Sequence, residues 1–209
     1  MSKSKTQNFY DRIADVHNLA MKLNGYTRSV ARYLKSLDLA IDRESLVLDA
    51  GSGTGIVTTG LYRAGLIPKT TVTFDLSFNL LKVSREQFAK DKKTAGHTIS
   101  ATQGNVLAMP FADGTFDLLL SCGVLEYVPL DAGLREFARV MKPGAKLVFI
   151  PVKPSLVGSV LELLYKFKTH PPDTVRDVSS KYFNFVGNHD FPITAPIGWS
   201  KTIFVLEKR

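Results

Sequence analysis

From residue 45 onward, short apolar runs alternate with stretches whose apolar residues recur every three or four positions, the pattern of strands interleaved with amphipathic helices. Leu46-Val47-Leu48 reads as a first strand that runs into a glycine-rich turn, Gly51 to Gly55. Ile56 to Ala64 then reads as a helix stopped by Gly65 and Pro68. Thr71 to Phe74 is the next strand, after which Ser77 is placed to cap a helix carrying Leu80, Leu81, Ser84 and Phe88 on one side. Further strands are expected over 98–103, 116–121 and 146–151, with a short helix over 131–141 and a Pro143-Gly144 turn before the last of these. Leu156 to Phe167 reads as a helix, and Tyr182 to Val186 and Lys201 to Leu206 as strands. About seven strands alternating with helices imply an α/β fold, a mostly parallel sheet with helices on both faces.

The opening of the chain differs. Phe9, Ile13, Val16 and Ala20 are spaced for one helix face, and Val30, Tyr33, Leu34 and Leu37 for another, with no strand between them. These helices are expected to lie over the open edge of the sheet. The chain therefore divides into a helical cover (1–44), a core (45–151) and an insertion helix with two last strands (152–209), all within a single domain of 209 residues. No apolar run approaches the roughly 18 residues of a membrane span. The lone cysteine, Cys122, excludes an internal disulfide, and the polar start lacks a signal-peptide core, so a cytoplasmic location is expected.

Charge changes the picture little. The net +8 divides into +3, +2 and +3 over residues 1–44, 45–150 and 151–209, which is dispersed rather than gathered into the patch of a dedicated nucleic-acid binder. The Lys90-Asp91-Lys92-Lys93 cluster reads as a solvated helix end.

The densest chemical signal is Val47-Leu48-Asp49-Ala50-Gly51-Ser52-Gly53-Thr54-Gly55, a strand entering glycines at alternate positions. In an open parallel sheet this is where ligands bind, and glycines let one lie against the main chain. The spacing is not that of a dinucleotide fingerprint, which would put its third glycine at Ile56, nor of a P-loop, since no Lys occurs between Gly51 and Lys69. Asp49 is awkward beside a pyrophosphate and helpful beside a cationic ligand.

This segment resembles motif I of class I S-adenosylmethionine-dependent methyltransferases. Asp75-Leu76-Ser77 after the second strand is similar to that family's ribose-binding motif. Gln103-Gly104-Asn105-Val106, then Met109-Pro110-Phe111 and Thr115-Phe116-Asp117, resembles its adenine-binding stretch, and 135–145 resembles the helix and turn before its fifth strand. The resemblance covers roughly 45–151 in order. It implies a Rossmann-like seven-stranded sheet under an N-terminal helical lid, and the closest branch is that of quinone-biosynthesis and other small-molecule enzymes (methyltransferase type 11). Phe9 to Ala14 is similar to the start of their lid, although its later Tyr-Asp is Val16-His17 here.

By that resemblance the loop Gly51, Ser52, Gly53, Thr54, Gly55 lines the methionine moiety, Asp49 holds its ammonium and Asp75 fixes the ribose. Leu76 packs on adenine, Asn105 accepts from its amino group where many relatives have Asp, and the Val106 amide contacts the ring. The backbone at Ser121 and Cys122 closes the methionine pocket. The cofactor implied is S-adenosylmethionine, with S-adenosylhomocysteine as product. A protein base is needed only if the acceptor carries a proton to remove. The candidates are Glu126, with Tyr127 beside it, and then Tyr10 and His17 from the cover; each also has a plain packing explanation, and His189 reads as structural. Cys122 lacks the preceding Pro of pyrimidine-carbon methylases, and the four scattered histidines and one cysteine form no metal motif.

The expected partner is thus a small-molecule methyl acceptor, with no membrane span and no nucleic-acid partner; the sequence says nothing of oligomeric state. Two other readings stay open: methylation of RNA or protein, which the basic charge favours and the absence of a recognition domain opposes, and a regulatory subunit that binds S-adenosylmethionine without turnover. A nicotinamide oxidoreductase is the outside alternative.

Overall fold

The computed structural model describes residues 25–155, 159, 162, 163, 167–191 and 199–209. Seven strands form one sheet: β1 (Leu46–Ala50), β2 (Thr70–Asp75), β3 (Ile99–Gln103), β4 (Phe116–Cys122), β5 (Met141–Ile150), β6 (Phe183–Asp190) and β7 (Thr202–Lys208). The helices are α1 (Tyr26–Ser36), α2 (Ile56–Arg63), α3 (Phe78–Lys90), α4 (Leu130–Val140) and α5 (Pro172–Ser179). The strand order is β3-β2-β1-β4-β5-β7-β6, with β1 to β5 parallel and β7 antiparallel to both its neighbours.

The central strands are continuous apolar runs because both of their faces are covered. Side chains alternate between two cores at the period of two that a strand imposes. Leu48, Leu119, Leu147, Phe149, Phe204 and Leu206 join one core with Leu134 and Phe137 of α4 and Val175 of α5. Val47, Leu118, Leu120, Val148, Ile150 and Ile203 join the other with Tyr26, Val30 and Leu34 of α1 and Val57 and Leu61 of α2. α1 thus lies against a face of the sheet, not over its open edge. Its apolar stripe needs an apolar surface, and the exposed edge strand β6 offers little of one.

Further elements depart from the sequence reading: β5 starts at Met141 and takes in the Pro143-Gly144 expected as a turn before it. α5 was not anticipated, because it buries only Val175 and Ser179 and so carries almost no apolar period; Pro172 at its first turn is the signal that marks it. β6 and β7 each run past the expected ends, since they pair with one another from Phe183↔Lys208 to Asp190↔Thr202. Most of the helix expected over 156–167, and the whole of 1–24, lie outside the described residues.

Chain order reverses between β1 and β4, whose carboxyl ends form the crevice expected of such a switch point. Asp49 and Ala50 of β1 pair with Leu120 and Ser121 of β4, so Asp49, Ser121 and Cys122 open onto one rim, with Asp75 at the adjoining end of β2.

Candidate active site

The glycine loop is held from below by backbone. The amides of Gly51 and Ser52 both donate to the Phe74 carbonyl at the end of β2, at 2.8 and 3.0 Å. From above, the Asp75 carboxylate accepts from the Gly53 amide at 2.8 Å and from the Ser77 amide at 2.9 Å, while the Ser77 hydroxyl caps α3 by accepting from the Leu80 amide. Asp75 therefore braces the loop and does not itself cap the helix. Gly53 (φ 53°) has open space where a side chain would stand, whereas at Gly55 (φ 79°) that space is taken by the protein's own Phe88. Of these two glycines, Gly53 is the one that leaves main chain bare for a ligand.

Asp49 is 1% exposed. One carboxylate oxygen accepts from the Thr58 amide (3.1 Å) and hydroxyl (2.6 Å), but Oδ1 has no partner. The Ser52 and Ser121 hydroxyls are likewise buried and unpartnered. Orphaned buried oxygens are costly, and these three belong to residues at or just beyond the carboxyl ends of β1 and β4, where polar ligand groups would satisfy them. Burial pushes the Asp49 carboxyl up to about 7, against the Thr58 hydrogen bonds, and the nearby Asp75 charge pushes the same way. The Asp75 carboxyl is also raised, again chiefly by burial.

The other residues expected to contact the cofactor lie at or just past the carboxyl ends of β2, β3 and β4. Leu76 and Phe78 are exposed apolar surface beside Asp75, and the Gln103 side-chain amide donates to the Leu76 carbonyl at 2.9 Å. Asn105 is exposed, and its side-chain oxygen accepts from the Leu107 amide at 3.0 Å, an Asx-type turn that shapes the loop carrying the buried Val106. That loop is clamped by two residues whose role the sequence reading missed. Glu136 accepts from the Met109 amide, and Arg139 donates to the Met109 and Phe111 carbonyls as well as to Asp113. Cys122 is half-buried, with the Tyr26 hydroxyl 3.3 Å from its sulfur.

Glu126 sits in the one-turn 3-10 helix Leu125–Tyr127 after β4 and is 4% exposed. Its Oε1 accepts from the Val152 amide at 2.5 Å, and Oε2 has no partner. Burial raises its affinity for a proton, opposed by the nearby positive charge of Lys201. Tyr10 and His17 lie outside the described residues. His189 packs edge-on against Tyr33.

These residues suit S-adenosylmethionine. Its ammonium matches the free Asp49 oxygen, its ribose hydroxyls match a carboxylate that ends β2, and its adenine matches the apolar surface of Leu76. Residues 48–149 match the methyltransferase domain family. A demethylmenaquinone methyltransferase of Shouchella clausii is 32% identical over 190 residues, covering 87% of this chain and 79% of that protein. The chain belongs to the class I S-adenosylmethionine-dependent methyltransferases. A second relative, the demethylmenaquinone methyltransferase of Chlorobaculum parvum, is 31% identical over 150 residues, which cover 68% of this chain but only 58% of that enzyme. Among solved structures, the geranyl diphosphate C-methyltransferase of Streptomyces coelicolor A3(2), bound to Mg2+, geranyl-S-thiolodiphosphate and S-adenosyl-L-homocysteine, superposes with a TM-score of 0.71 at 16% identity, covering 86% of this chain and 75% of that one. The fold of this methyltransferase is therefore shared well beyond detectable sequence likeness.

A buried carboxyl with a raised pKa reverses the usual pH dependence of a carboxylate. The folded, unliganded protein holds the Asp49 proton more tightly than the unfolded chain does, so its stability should fall as pH rises from about 4 to about 7. A ligand ammonium group placed at Asp49 selects the ionised form, so affinity for S-adenosylhomocysteine, which carries that ammonium, should instead rise over the upper part of that window and just beyond it. The expected gain is more than tenfold between about pH 5.5 and about pH 7.5. Calorimetry and thermal unfolding at both pH values check this. Asp49→Asn should flatten both trends, and parallel trends would remove Asp49 from the ammonium site.

Proposed function

We propose that this methyltransferase moves the methyl group of S-adenosylmethionine to a small, quinol-type acceptor in the cytoplasm. The observation that carries the cofactor half is the unpartnered buried oxygen of Asp49 at the carboxyl end of β1, where the strand enters the glycine loop. The names of the relatives support the acceptor half. No helix among the described residues is long and apolar enough to cross a membrane.

When bound, the cofactor supplies a methyl group already activated on a sulfonium. The protein's part is then mostly alignment, where orientation can supply about 7 to 11 kcal/mol in favourable cases. Asp49 fixes the charged end, Asp75 the ribose, and the Leu76 and Val106 surfaces with Asn105 the base. Ser121 and Cys122 bound the crevice where donor and acceptor meet. Glu126 is the base we propose for an acceptor that must lose a proton, since its unpartnered oxygen lies just beyond β4 and its burial strengthens its hold on a proton.

Incubation with methyl-labelled donor and reduced demethylmenaquinone tests the proposal, with RNA and protein from cell extract as competing acceptors. Label is expected in the quinone fraction. Label confined to RNA or protein would overturn the small-molecule reading, and tight donor binding without transfer to any fraction would point to a regulatory subunit.

A further inference from the structure

The antiparallel β7 returns to the carboxyl ends of β4 and β5, and just before it Lys201 is bridged to Val152 at the same rim as Cys122. This lysine is only 6% exposed. It donates to the Cys122 sulfur at 3.5 Å and lies 6.0 Å from the centre of the Tyr26 ring. No carboxylate among the described residues closes an ion pair with it, although Glu126 is near enough to feel its charge and has a bare oxygen of its own. A structural pair buried this deeply gains by closing into contact, because each unpaired charge is expensive in the interior. Among the described residues this cation and carboxylate make no such contact: the ammonium bonds the Cys122 sulfur, and Glu126 Oε2 bonds nothing. The ammonium stands 3.5 Å from where a side chain on Gly123 would begin, and the next residue, Val124, packs on Gly51 of the glycine loop. Gly123-Val124 thus runs from this lysine to the glycine loop.

We propose that Lys201 binds the acceptor, holding an ionisable phenolic or enolic oxygen as its anion while Glu126 Oε2 takes the proton. The acceptor O–H bond breaks, an Oε2–H bond forms, and the oxygen keeps the electron pair, whose charge the ammonium neutralises. The electron density so released is available at that oxygen and at any carbon conjugated with it. Lys201 is then a catalytic residue in contact with substrate, and it selects acceptors that carry an acidic hydroxyl. The inference rests on the small-molecule reading above.

The test uses 4-nitrophenol, whose phenolate is yellow, titrated into protein saturated with S-adenosylhomocysteine. Tyr26 and Cys122 lie beside the lysine, and His170 lies near enough to Glu126 to feel its charge, so variants must isolate the lysine. In the wild type and Lys201→Arg, bound dye should ionise at least about one pH unit below free dye, a tenfold shift in favour of the anion. In Lys201→Met the shift should vanish while S-adenosylhomocysteine affinity is unchanged. Glu126→Gln, which keeps the lysine and removes a competing negative charge, should retain or enlarge it. Absence of saturable dye binding to the wild type, a shift that survives Lys201→Met, or joint loss of dye and S-adenosylhomocysteine binding in that variant would overturn the assignment. Failure of the wild type to bind S-adenosylhomocysteine would instead strike the reading beneath it.

Discussion

Gly55→Ala should lower stability by about 3 kcal/mol, and with it the unfolding midpoint by about 10 °C, the largest loss expected from adding a single methyl group to this loop. Two costs combine. Gly55 has φ 79°, a left-handed conformation that costs an L-residue about 1 to 2 kcal/mol. The added carbon would also stand 2.2 Å from Phe88 Cζ, 2.6 Å from its Cε1 and 3.2 Å from the Ser84 Cβ. Phe88 is 5% exposed and sits on the inner side of α3, so its ring cannot swing into solvent. Close-packed interiors transmit such overlaps instead of absorbing them. Gly53→Ala provides the contrast: it keeps the backbone cost and meets no atom within 4 Å, so about 1 kcal/mol is expected from it. Phe88→Leu in the Gly55→Ala background should recover part of the loss. Thermal denaturation followed by circular dichroism separates these cases, and equal destabilisation by the two alanines would show that overlap with Phe88 is not the cause.

Asp75→Ala should weaken S-adenosylhomocysteine binding by well over tenfold while leaving the fold nearly intact. A half-buried carboxylate that accepts two charge-assisted hydrogen bonds is a strong acceptor for ribose hydroxyls as well, and its loss removes those contacts and the brace on Gly53 together. The loop does not depend on that brace alone, because the Gly51 and Ser52 amides remain on the Phe74 carbonyl. Calorimetric titration of the variant, paired with its unfolding midpoint, checks both halves. Unchanged affinity would free Asp75 from the ribose, and a large fall in midpoint would make it a structural residue.

The parallel core was legible because its physics is local. Alternation of Val47 with Leu48, and of Leu118 and Leu120 with Leu119, places each side chain in one of two cores before any partner is known. The placement of Asp49 and the glycine loop was legible for a related reason, since a short strand leading into Gly51, Gly53 and Gly55 puts them at one end of the sheet. Long-range pairings were not. Lys201 is distant in sequence from Cys122 and Glu126 and carries no motif, and only the antiparallel return of β7 brings them together. The Arg139 clamp on the Met109 and Phe111 carbonyls was hidden in the same way, because main-chain acceptors leave no mark in the sequence. Likewise α1 was misplaced onto the sheet edge because its spacing reveals an apolar stripe but not which surface receives it.

The central claim is that the carboxyl ends of β1, β2 and β4 form a seat for one S-adenosyl nucleoside, and direct calorimetric titration of the unliganded protein with S-adenosylhomocysteine at neutral pH examines it. Saturation is expected at one equivalent per chain, with little heat from NAD under the same conditions. No saturable heat with S-adenosylhomocysteine, or binding of NAD in its place, would contradict it.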